Sequence, residues 1–247
     1  MKGIILSITA VTIVAIIGVW SIYFLPREAP MDTEAVFVDR GEETKILEVP
    51  AICQYPTLPT GCESVSAVMV LQYYGTDVSA EEFAGEWLKC SKSFYMSDKK
   101  QYGPDPNEVF AGDPFSENAY GCFAQPIVNA INQNSLEFNA EAIKDITLDD
   151  LCKEYVDKDI PILVWATMGM KEAKRGRTWF LKSGEKFTWI SGEHCLVLVG
   201  YSEDYYFFND PLSGSTVGYQ KEVSEKRFKE LGSQSVYISP RHQIIHP

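Results

Sequence analysis

The sequence is poor in histidine, in basic residues and in the cysteine pairs that hold structural metals. Only three histidines occur among the 247 residues, and none of the six cysteines lies in a Cys-x-x-Cys pair. Because tetrahedral zinc sites are normally built from such pairs and from histidines, we expect no structural metal. Lysine and arginine together number 22 against 34 acidic residues, so the formal net charge is −12. With no basic surface to neutralise phosphates, nucleic-acid binding is excluded from the expected functions.

Internal repeats, including any of a cell-wall-binding type, are also absent from the sequence. What is present is a composition of 45% hydrophobic and 13% aromatic residues, enough for one substantial core or two small ones. Helical patterns come first and strand patterns follow, which predicts an α+β domain with its helices and strands in separate halves. Helices are predicted at 61–74, 79–88, 126–134 and 147–156, and strands at 45–54, 160–168, 186–190, 194–201, 205–210 and 236–238.

Residues 1–25 form a long apolar stretch whose one charged side chain is Lys2. About 20 such residues cross a bilayer as a helix, and aromatic residues such as Trp20 and Tyr23 cluster at membrane interfaces. The stretch is therefore predicted to be an uncleaved membrane anchor, followed by a polar spacer at 26–45. A cleaved secretory signal is the alternative, although its apolar region is normally shorter, about 7–15 residues. In either case the folded domain is expected to lie outside the cytoplasm.

A turn before Cys62 delivers this cysteine to the start of a predicted helix. Thr60 and Glu63 have the spacing of a capping box, and Gly75 is suited to end the helix. Unpaired N–H groups and the positive end of the helix dipole favour a thiolate in the first helical turn, where Cys62 is expected. The thiolate is the nucleophilic form of cysteine. The alternative is a small buried hydrophobic residue, which is the ordinary role of a free cysteine.

A second group of candidate residues lies on a predicted hairpin with its turn near Glu203. In that register Asp210 lies opposite Leu196, and His194 is its diagonal neighbour on the same face, with backbones about 7–8 Å apart. The two side chains are long enough to meet across this distance. A slip of one residue would place them on opposite faces of the sheet, so the prediction depends on the register.

These residues together have the composition of a thiol-based catalytic site. A cysteine nucleophile needs an imidazole to accept and return its proton, and the imidazole needs a third polar group to fix its orientation. His194 is the one histidine in the part of the sequence predicted to fold, so it is the candidate base for Cys62, with Asp210 as its partner. Acyl transfer also needs donors for an oxyanion, and the Gln54 side chain is a candidate. Taken singly, each residue also has an ordinary structural explanation.

Between Cys90 and Cys122 the sequence loses its periodicity and is rich in glycine, proline and aspartate. A long irregular loop in a compact domain is usually functional or tied down. Outside the cytoplasm, a disulfide between these two cysteines would restrain the unfolded loop by roughly 3–4 kcal/mol in the chain-entropy model. We therefore predict the Cys90–Cys122 disulfide.

Four groups of residues carry a resemblance to a known family. They are Gln54 with Leu58–Ser64, Tyr120–Phe123, Gly192–Tyr201 and Phe208–Pro211. With them the chain resembles the papain-like cysteine peptidases. The closer resemblance is to the peptidases that remove double-glycine leaders from bacteriocins, in their stand-alone, membrane-anchored or secreted bacterial branch. The resemblance implies a papain-like α+β domain over residues 46–239, followed by a polar tail at 240–247.

The same resemblance implies a role for each candidate residue: Cys62 as nucleophile, His194 as general base, Asp210 as orienting residue and Gln54 in the oxyanion hole. Two features depart from the leader peptidases. Thr-Gly precedes Cys62 and Glu63 follows it, where those enzymes usually have Asp-Cys-Gly, and a carboxylate beside the thiol opposes thiolate formation. No transporter sequence accompanies the motifs, so a secretion partner and double-glycine specificity are not expected.

The sequence thus predicts a membrane-anchored, extracytoplasmic cysteine peptidase that acts on peptide or protein substrates and needs no metal or organic cofactor. Two alternatives stay open. One is a cell-wall amidase or transpeptidase on the same Cys–His scaffold. The other is a binding module whose triad is silent, with the loop between Cys90 and Cys122 as its interaction surface.

Overall fold

The computed structural model describes residues 44–241. The predicted membrane anchor at 1–25, nearly all of the predicted spacer and residues 242–247 of the predicted tail lie outside this range. Within the described part of the chain, no helix is both long and apolar enough to cross a bilayer.

The helices are close to those predicted. They are α1 (Cys62–Tyr73), α2 (Ala80–Glu82), α3 (Ala124–Asn134), α4 (Leu148–Glu154) and α5 (Lys221–Glu230). A π-helical turn continues α2 over Phe83–Trp87, and 3-10 turns lie at Val156–Lys158 and Met168–Met170. The four predicted helices are confirmed, and α1 ends just before Gly75, whose φ of +93° suits a glycine. The mostly charged α5 was not predicted.

The strands include several that the patterns missed. They are β1 (Lys45–Ile46), β2 (Cys90–Ser91), β3 (Tyr95–Ser97), β4 (Lys100–Tyr102), β5 (Phe110–Ala111), β6 (Phe138–Lys144), β7 (Ile162–Thr167), β8 (Lys174–Phe180), β9 (Lys186–Ser191), β10 (Glu193–Tyr201), β11 (Tyr205–Asp210), β12 (Ser215–Gln220) and β13 (Gln234–Pro240). The strand predicted at 45–54 shortens to β1, whereas β7, β9, β10, β11 and β13 are confirmed.

The main sheet has seven strands in the order β12-β11-β10-β7-β13-β6, with β1 also paired to β10. All of its pairs are antiparallel. In the chain, β6 lies between α3 and α4, and α5 lies between β12 and β13. The fold is therefore α+β as predicted, but the predicted order of helices first and strands after is wrong.

The core lies where α1 packs against the centre of the main sheet. Every residue from Cys62 to Leu71 is buried, and so is every residue of β7. A helix without a polar face is a core helix, and strands with continuous apolar runs are covered on both faces. The Ser66 hydroxyl donates to the Cys195 carbonyl oxygen at 3.1 Å. Because this bond fixes α1 to β10, the cysteine that opens α1 is held beside that strand.

The start of α1 differs from the predicted capping box. The N-cap residue is Gly61, and no side chain caps the helix. Thr60 instead donates its hydroxyl to the Ser116 carbonyl oxygen at 2.8 Å. The Glu63 carboxyl accepts a hydrogen bond from the Cys122 N–H at 2.6 Å. The prediction is wrong because both side chains find partners far along the chain.

Strands β10 and β11 form the predicted hairpin, with a bulge that decides which side chains share a face. Near the turn Tyr201 pairs with Tyr206, one residue off the predicted register. A β-bulge in β10 then shifts the pairing by one residue, so that Val197 lies opposite Asn209, in the predicted register. Without the bulge, His194 and the end of β11 would present their side chains to opposite faces of the sheet.

A second sheet, not predicted from the sequence, contains β3, β4, β8 and β9 in that order. Within it β4 and β8 pair in parallel, although the two strands are far apart in the chain. Its side chains Trp179 and Trp189 belong to an aromatic cluster that also contains Phe94 and Tyr120. This cluster is separate from the main core and backs one wall of the site described below.

The predicted Cys90–Cys122 disulfide is wrong, because both residues are free thiols. Cys90 lies in β2, which pairs in parallel with β5. At the end of β5, Ala111 forms an antiparallel bridge with Gly121. Backbone hydrogen bonds therefore hold the two ends of this segment together without a covalent link.

Candidate active site

Cys62 opens α1 and lines a cavity, with 6% of its surface exposed. Its Sγ atom lies 3.3 Å from Oε2 of Glu63, within reach of a hydrogen bond from the thiol to the carboxyl group. Burial raises the pKa of the Cys62 thiol well above its usual value, and the charges of Glu63 and Glu193 raise it further. The resting site therefore favours the thiol, whereas the position at a helix start alone predicted a thiolate.

His194, the second residue of β10, meets Asp210, the last residue of β11. Nε2 of His194 lies 2.7 Å from Oδ1 of Asp210, and both side chains are buried. The same oxygen accepts a hydrogen bond from the Leu212 N–H at 2.8 Å. Burial raises the pKa of Asp210, but the hydrogen bond and charge of His194 and the Leu212 N–H outweigh burial, so this pKa lies below its ordinary value. Asp210 is thus a carboxylate that fixes the imidazole ring.

The other ring nitrogen of His194 accepts and donates no hydrogen bond in the described structure. Nδ1 is buried and has no hydrogen-bond partner among residues 44–241. A buried polar atom without a partner costs about 1–3 kcal/mol, so each instance in a native structure calls for an explanation. His194 lines the same cavity as Cys62. With Nε2 held by Asp210, Nδ1 is the nitrogen left to exchange a proton with a group in that cavity.

Gln54 lies on the same cavity, in the segment that precedes α1. Its backbone N–H donates to the Pro211 carbonyl oxygen at 2.8 Å, which attaches it to the chain just after Asp210. Its side-chain nitrogen donates one N–H to the Pro59 carbonyl oxygen at 2.8 Å. An amide nitrogen carries two N–H groups, so one donor is left after the contact with Pro59.

Glu193, which the sequence analysis did not single out, forms a buried pair with Glu63 beside Cys62. One carboxyl oxygen of each and the Sγ atom of Cys62 lie within 4.8 Å of one another. In the described structure, neither carboxyl group forms an ion pair with a basic side chain. The one signal in the sequence was a glutamate at the start of an otherwise apolar strand.

Both carboxyl groups of the pair hold their protons more tightly than an exposed glutamate does. Burial raises the pKa of Glu63 to about 7. Burial, and then the charge of Glu63, raise the pKa of Glu193 well above its ordinary value. Two like charges this close cannot both persist in a buried site, so the pair titrates as a unit. One thiol and two carboxyl groups are also a donor set that can hold a divalent metal ion once they lose their protons.

Because Gly121 has no side chain, the carboxyl groups of Glu63 and Glu193 can lie close to its backbone. Its φ is +140°, and a Cβ atom there would lie 2.5 Å from Oε1 of Glu63 and 3.1 Å from Oε2 of Glu193. The next residue donates the backbone N–H that binds Glu63. The sequence motif around Gly121 therefore contributes backbone groups and free space to the site rather than reactive side chains.

The cavity has a volume of about 300 Å³, at the low end of the range for ligand sites. Its ionisable side chains are Cys62, Tyr120, Arg177, Glu193 and His194. Cys62, His194 and Gln54 thus line one cavity, and the Asp210 carboxylate binds the imidazole ring of His194 at Nε2. This is an arrangement suited to acyl transfer.

Known proteins resemble this chain over most of its length. Residues 46–236 match the sequence model of the Peptidase_C39 like family. Uncharacterized protein YvpB of Bacillus subtilis (strain 168) is 29% identical over 185 residues, which are 74% of this chain and 70% of YvpB. A crystal structure from Bacillus anthracis, described as a C39-like peptidase, has a TM-score of 0.70 at 28% identity and covers 82% of this chain and 100% of that one.

A more distant likeness is to the crystal structure of a double glycine motif protease from an AMS/PCAT transporter in complex with its leader peptide. The TM-score is 0.48 at 18% identity, over 80% of this chain and 95% of that one. A likeness at this level does not bear on specificity.

Proposed function

Because the chain belongs to the Peptidase_C39 like family, we propose that it is a cysteine peptidase with Cys62 as nucleophile, His194 as general base and Asp210 as orienting residue. The observation that carries this proposal is that His194, whose Nδ1 has no hydrogen-bond partner among residues 44–241, lines the same cavity as Cys62. The 2.7 Å contact between Nε2 and the Asp210 carboxylate supports the third role.

In the proposed reaction, Nδ1 of His194 accepts the thiol proton as the Sγ atom of Cys62 attacks the carbonyl carbon of a peptide bond. Asp210 stabilises the imidazolium that forms. The carbonyl oxygen becomes an oxyanion, which the remaining N–H of Gln54 and the Cys62 backbone N–H receive. His194 then gives the proton to the leaving amine. A water molecule, deprotonated by the same imidazole, hydrolyses the thioester and restores the thiol.

A second candidate function, a binding domain without peptidase activity, is favoured by one observation. The Cys62 thiol lies against the Glu63 carboxyl at 3.3 Å, and burial with the neighbouring carboxyl groups opposes the thiolate. A peptidase with this resting state moves the thiol proton to His194 once a substrate fills the cavity. In a silent binding domain the proton never moves.

An electrophilic peptide probe and a peptide library, both read by mass spectrometry, separate the two functions. Cys53 is exposed, so every variant carries Cys53→Ser to remove a competing accessible thiol. We expect Cys62 to be labelled faster than in the denatured chain, and library peptides to be cleaved. Both signals should disappear in Cys62→Ala and fall strongly in His194→Ala. Cys122→Ala, which removes a buried thiol that does not line the cavity, is the matched control.

Labelling no faster than in the denatured chain, together with no cleavage, would contradict the peptidase and favour the binding domain. Labelling and cleavage that survive in Cys62→Ala would instead contradict the assignment of the nucleophile.

We also propose that residues 1–25 anchor the chain in a membrane, with the peptidase domain outside the cytoplasm. The basis is the uncharged apolar run that follows Lys2, which is long enough to span a bilayer. Carbonate extraction of membranes and protease treatment of intact cells test this proposal. Recovery of the complete chain in the cytosolic fraction would contradict it, and a shortened N-terminus would favour the secretory-signal alternative.

A further inference from the structure

Among the residues from 44 to 241 that line the cavity, Arg177 is the one permanent cation. It lies in β8, where the pairing with β9 shifts between Arg175 and Thr178 because β8 has one residue more than its partner. A bulge of this kind re-aims side chains, and bulges are common next to active sites. Gly176 in the same bulge approaches β9 closely, since a Cβ atom there would lie 3.1 Å from a backbone oxygen of that strand. The distortion of the sheet therefore accompanies the placement of Arg177 on the cavity wall.

The guanidinium group of Arg177 is held in one position. Its Nε and Nη2 atoms both donate to Oε1 of Gln101, at 3.1 and 2.9 Å, and Nη1 donates to the Tyr120 hydroxyl at 3.1 Å. The group also lies 5.9 Å from the centre of the Phe94 ring. Tyr120 is packed in turn against Trp179, with 4.9 Å between ring centres. Phe94 and Tyr120 belong to the aromatic cluster, and Gln101 belongs to β4, so these contacts orient the exposed Arg177 side chain before any ligand arrives.

Two of the five N–H donors of Arg177 remain after these contacts, one on each terminal nitrogen. A carboxylate accepts two parallel N–H donors of a guanidinium group, and such forked contacts are stronger and more specific than neutral hydrogen bonds. The chain has a net charge of −12, so the charge of Arg177 on the cavity wall is opposite in sign to that of the chain as a whole. The chemistry that fits this position is an anionic group of the bound molecule.

We propose that Arg177 binds a carboxylate of the peptide substrate, so that the enzyme selects peptides with a negative charge close to the bond that is cleaved. This inference rests on the proposed peptidase function. Because Arg177 and Cys62 border the same cavity of about 300 Å³, the carboxylate belongs to a residue within about two positions of the scissile bond. Either an acidic side chain or the C-terminal carboxylate of a short peptide supplies this group.

Fluorogenic peptides that carry Glu, Gln or Lys at each of four positions around the cleaved bond test the proposal. One set has blocked ends, and a second set keeps a free C-terminal carboxylate. We expect the wild type to cleave one Glu peptide with a kcat/KM roughly tenfold above that of its Gln counterpart, the size of a partly exposed charged hydrogen bond. Arg177→Gln should remove this preference, and Arg177→Glu should favour the Lys peptide.

The matched control is Arg175→Gln, which removes an arginine from the same strand that does not line the cavity. It should leave the Glu-to-Gln ratio unchanged. Since each ratio is measured within a single variant, partial unfolding of a variant does not alter it. A preference confined to peptides with a free C-terminus would assign the carboxylate to the peptide end, and a preference in the blocked set would assign it to a side chain.

Binding to Cys62→Ala separates this inference from the proposed function. Fluorescence anisotropy with the same Glu and Gln peptides measures recognition without cleavage. Cleavage by the wild type with equal rates for Glu and Gln peptides, or a preference that survives Arg177→Gln, would overturn the role of Arg177 and leave the peptidase intact. No cleavage, together with binding of the Glu peptide that depends on Arg177, would overturn the peptidase and leave the recognition intact. Neither cleavage nor preferential binding would overturn both.

Discussion

Replacing Glu63 by glutamine tests the protonated carboxyl pair beside Cys62. Burial raises the pKa of Glu63 from 4.5 to about 7. Since the folded chain binds this proton more tightly than the unfolded chain, the stabilisation is complete below a pH of about 4.5 and is lost as the pH rises through about 7. At about 1.4 kcal/mol for each pKa unit, the loss amounts to about 3 kcal/mol.

Glutamine has nearly the shape of a protonated glutamate and does not titrate. We therefore expect Glu63→Gln and the wild type to have similar free energies of unfolding at a pH of about 4.5, and the variant to be more stable by about 3 kcal/mol at a pH of about 8. Unfolding in urea under reducing conditions, followed by tryptophan fluorescence, measures this difference for the full chain. Glu86→Gln replaces an exposed glutamate, and it should leave the pH dependence unchanged.

Parallel pH profiles for Glu63→Gln and the wild type would refute the reasoning, because Glu63 would then titrate alike in the folded and unfolded chains. A constant loss of stability at every pH has a different meaning. It would show that the contact with the Cys122 N–H suffers in the variant, while the slope still reports the proton. The slope of the difference, rather than its value at one pH, is therefore the decisive quantity.

Four further substitutions test single contacts of the site. Asp210→Ala removes the acceptor that holds His194 and should lower kcat/KM for peptide cleavage by roughly a hundredfold, whereas Asp210→Asn keeps an oxygen there and should lose less. Gly121→Ala places a Cβ atom 2.5 Å from a carboxyl oxygen and should lower the free energy of unfolding in urea by about 2–3 kcal/mol. Thr60→Val removes the hydroxyl that ties the turn before α1 to the neighbouring loop and should cost about 1 kcal/mol in the same assay.

Each of these expectations has a clear contrary result. If kcat/KM falls equally in the two Asp210 variants, the negative charge of Asp210 decides the rate, and the hydrogen bond that orients the His194 ring does not. Gly184→Ala is the control for Gly121→Ala, because Gly184 has a positive φ of +88° with open space around it. If both alanine variants lose the same free energy of unfolding, contact between a Cβ atom at position 121 and the carboxyl pair does not contribute to the loss. An unchanged urea midpoint in Thr60→Val would show that the hydrogen bond from the Thr60 hydroxyl does not stabilise the fold.

The hairpin shows how far sequence patterns reach in this chain. Its apolar alternation predicts two strands and a turn, and His194 and Asp210 do meet at 2.7 Å. The register at the turn is nevertheless one residue off the prediction, and the bulge in β10 brings it back before the site. No residue pattern predicts that bulge, because a bulge depends on the twist and packing of the whole sheet. The prediction at Asp210 is therefore correct for a reason that the sequence did not contain.

The features that were missed depend on contacts between distant parts of the chain. The second sheet pairs β4 with β8, and β4 has only three residues, too few to show a period of two. The Cys90–Cys122 disulfide was inferred from a need for restraint that β2, β5 and their backbone bonds already satisfy. Sequence patterns cannot show that backbone pairing already holds the two ends of a loop together. For the same reason, the proximity of Glu193 in β10 to Glu63 in α1 cannot be predicted until the helix packs against the strand.

Three departures from local rules lie around the thiol of Cys62. Nδ1 of His194 is buried without a described partner, Glu63 and Glu193 are buried and have no basic partner among residues 44–241, and Gly121 beside that pair has a φ of +140°. Each departure lowers stability, by about 1–3 kcal/mol for a feature of this kind. Single buried polar atoms without a partner among residues 44–241 also occur away from the cavity, at Thr76 and Arg227, but there each stands by itself. The meeting of the three departures around the thiol of Cys62 is what a site under functional selection predicts.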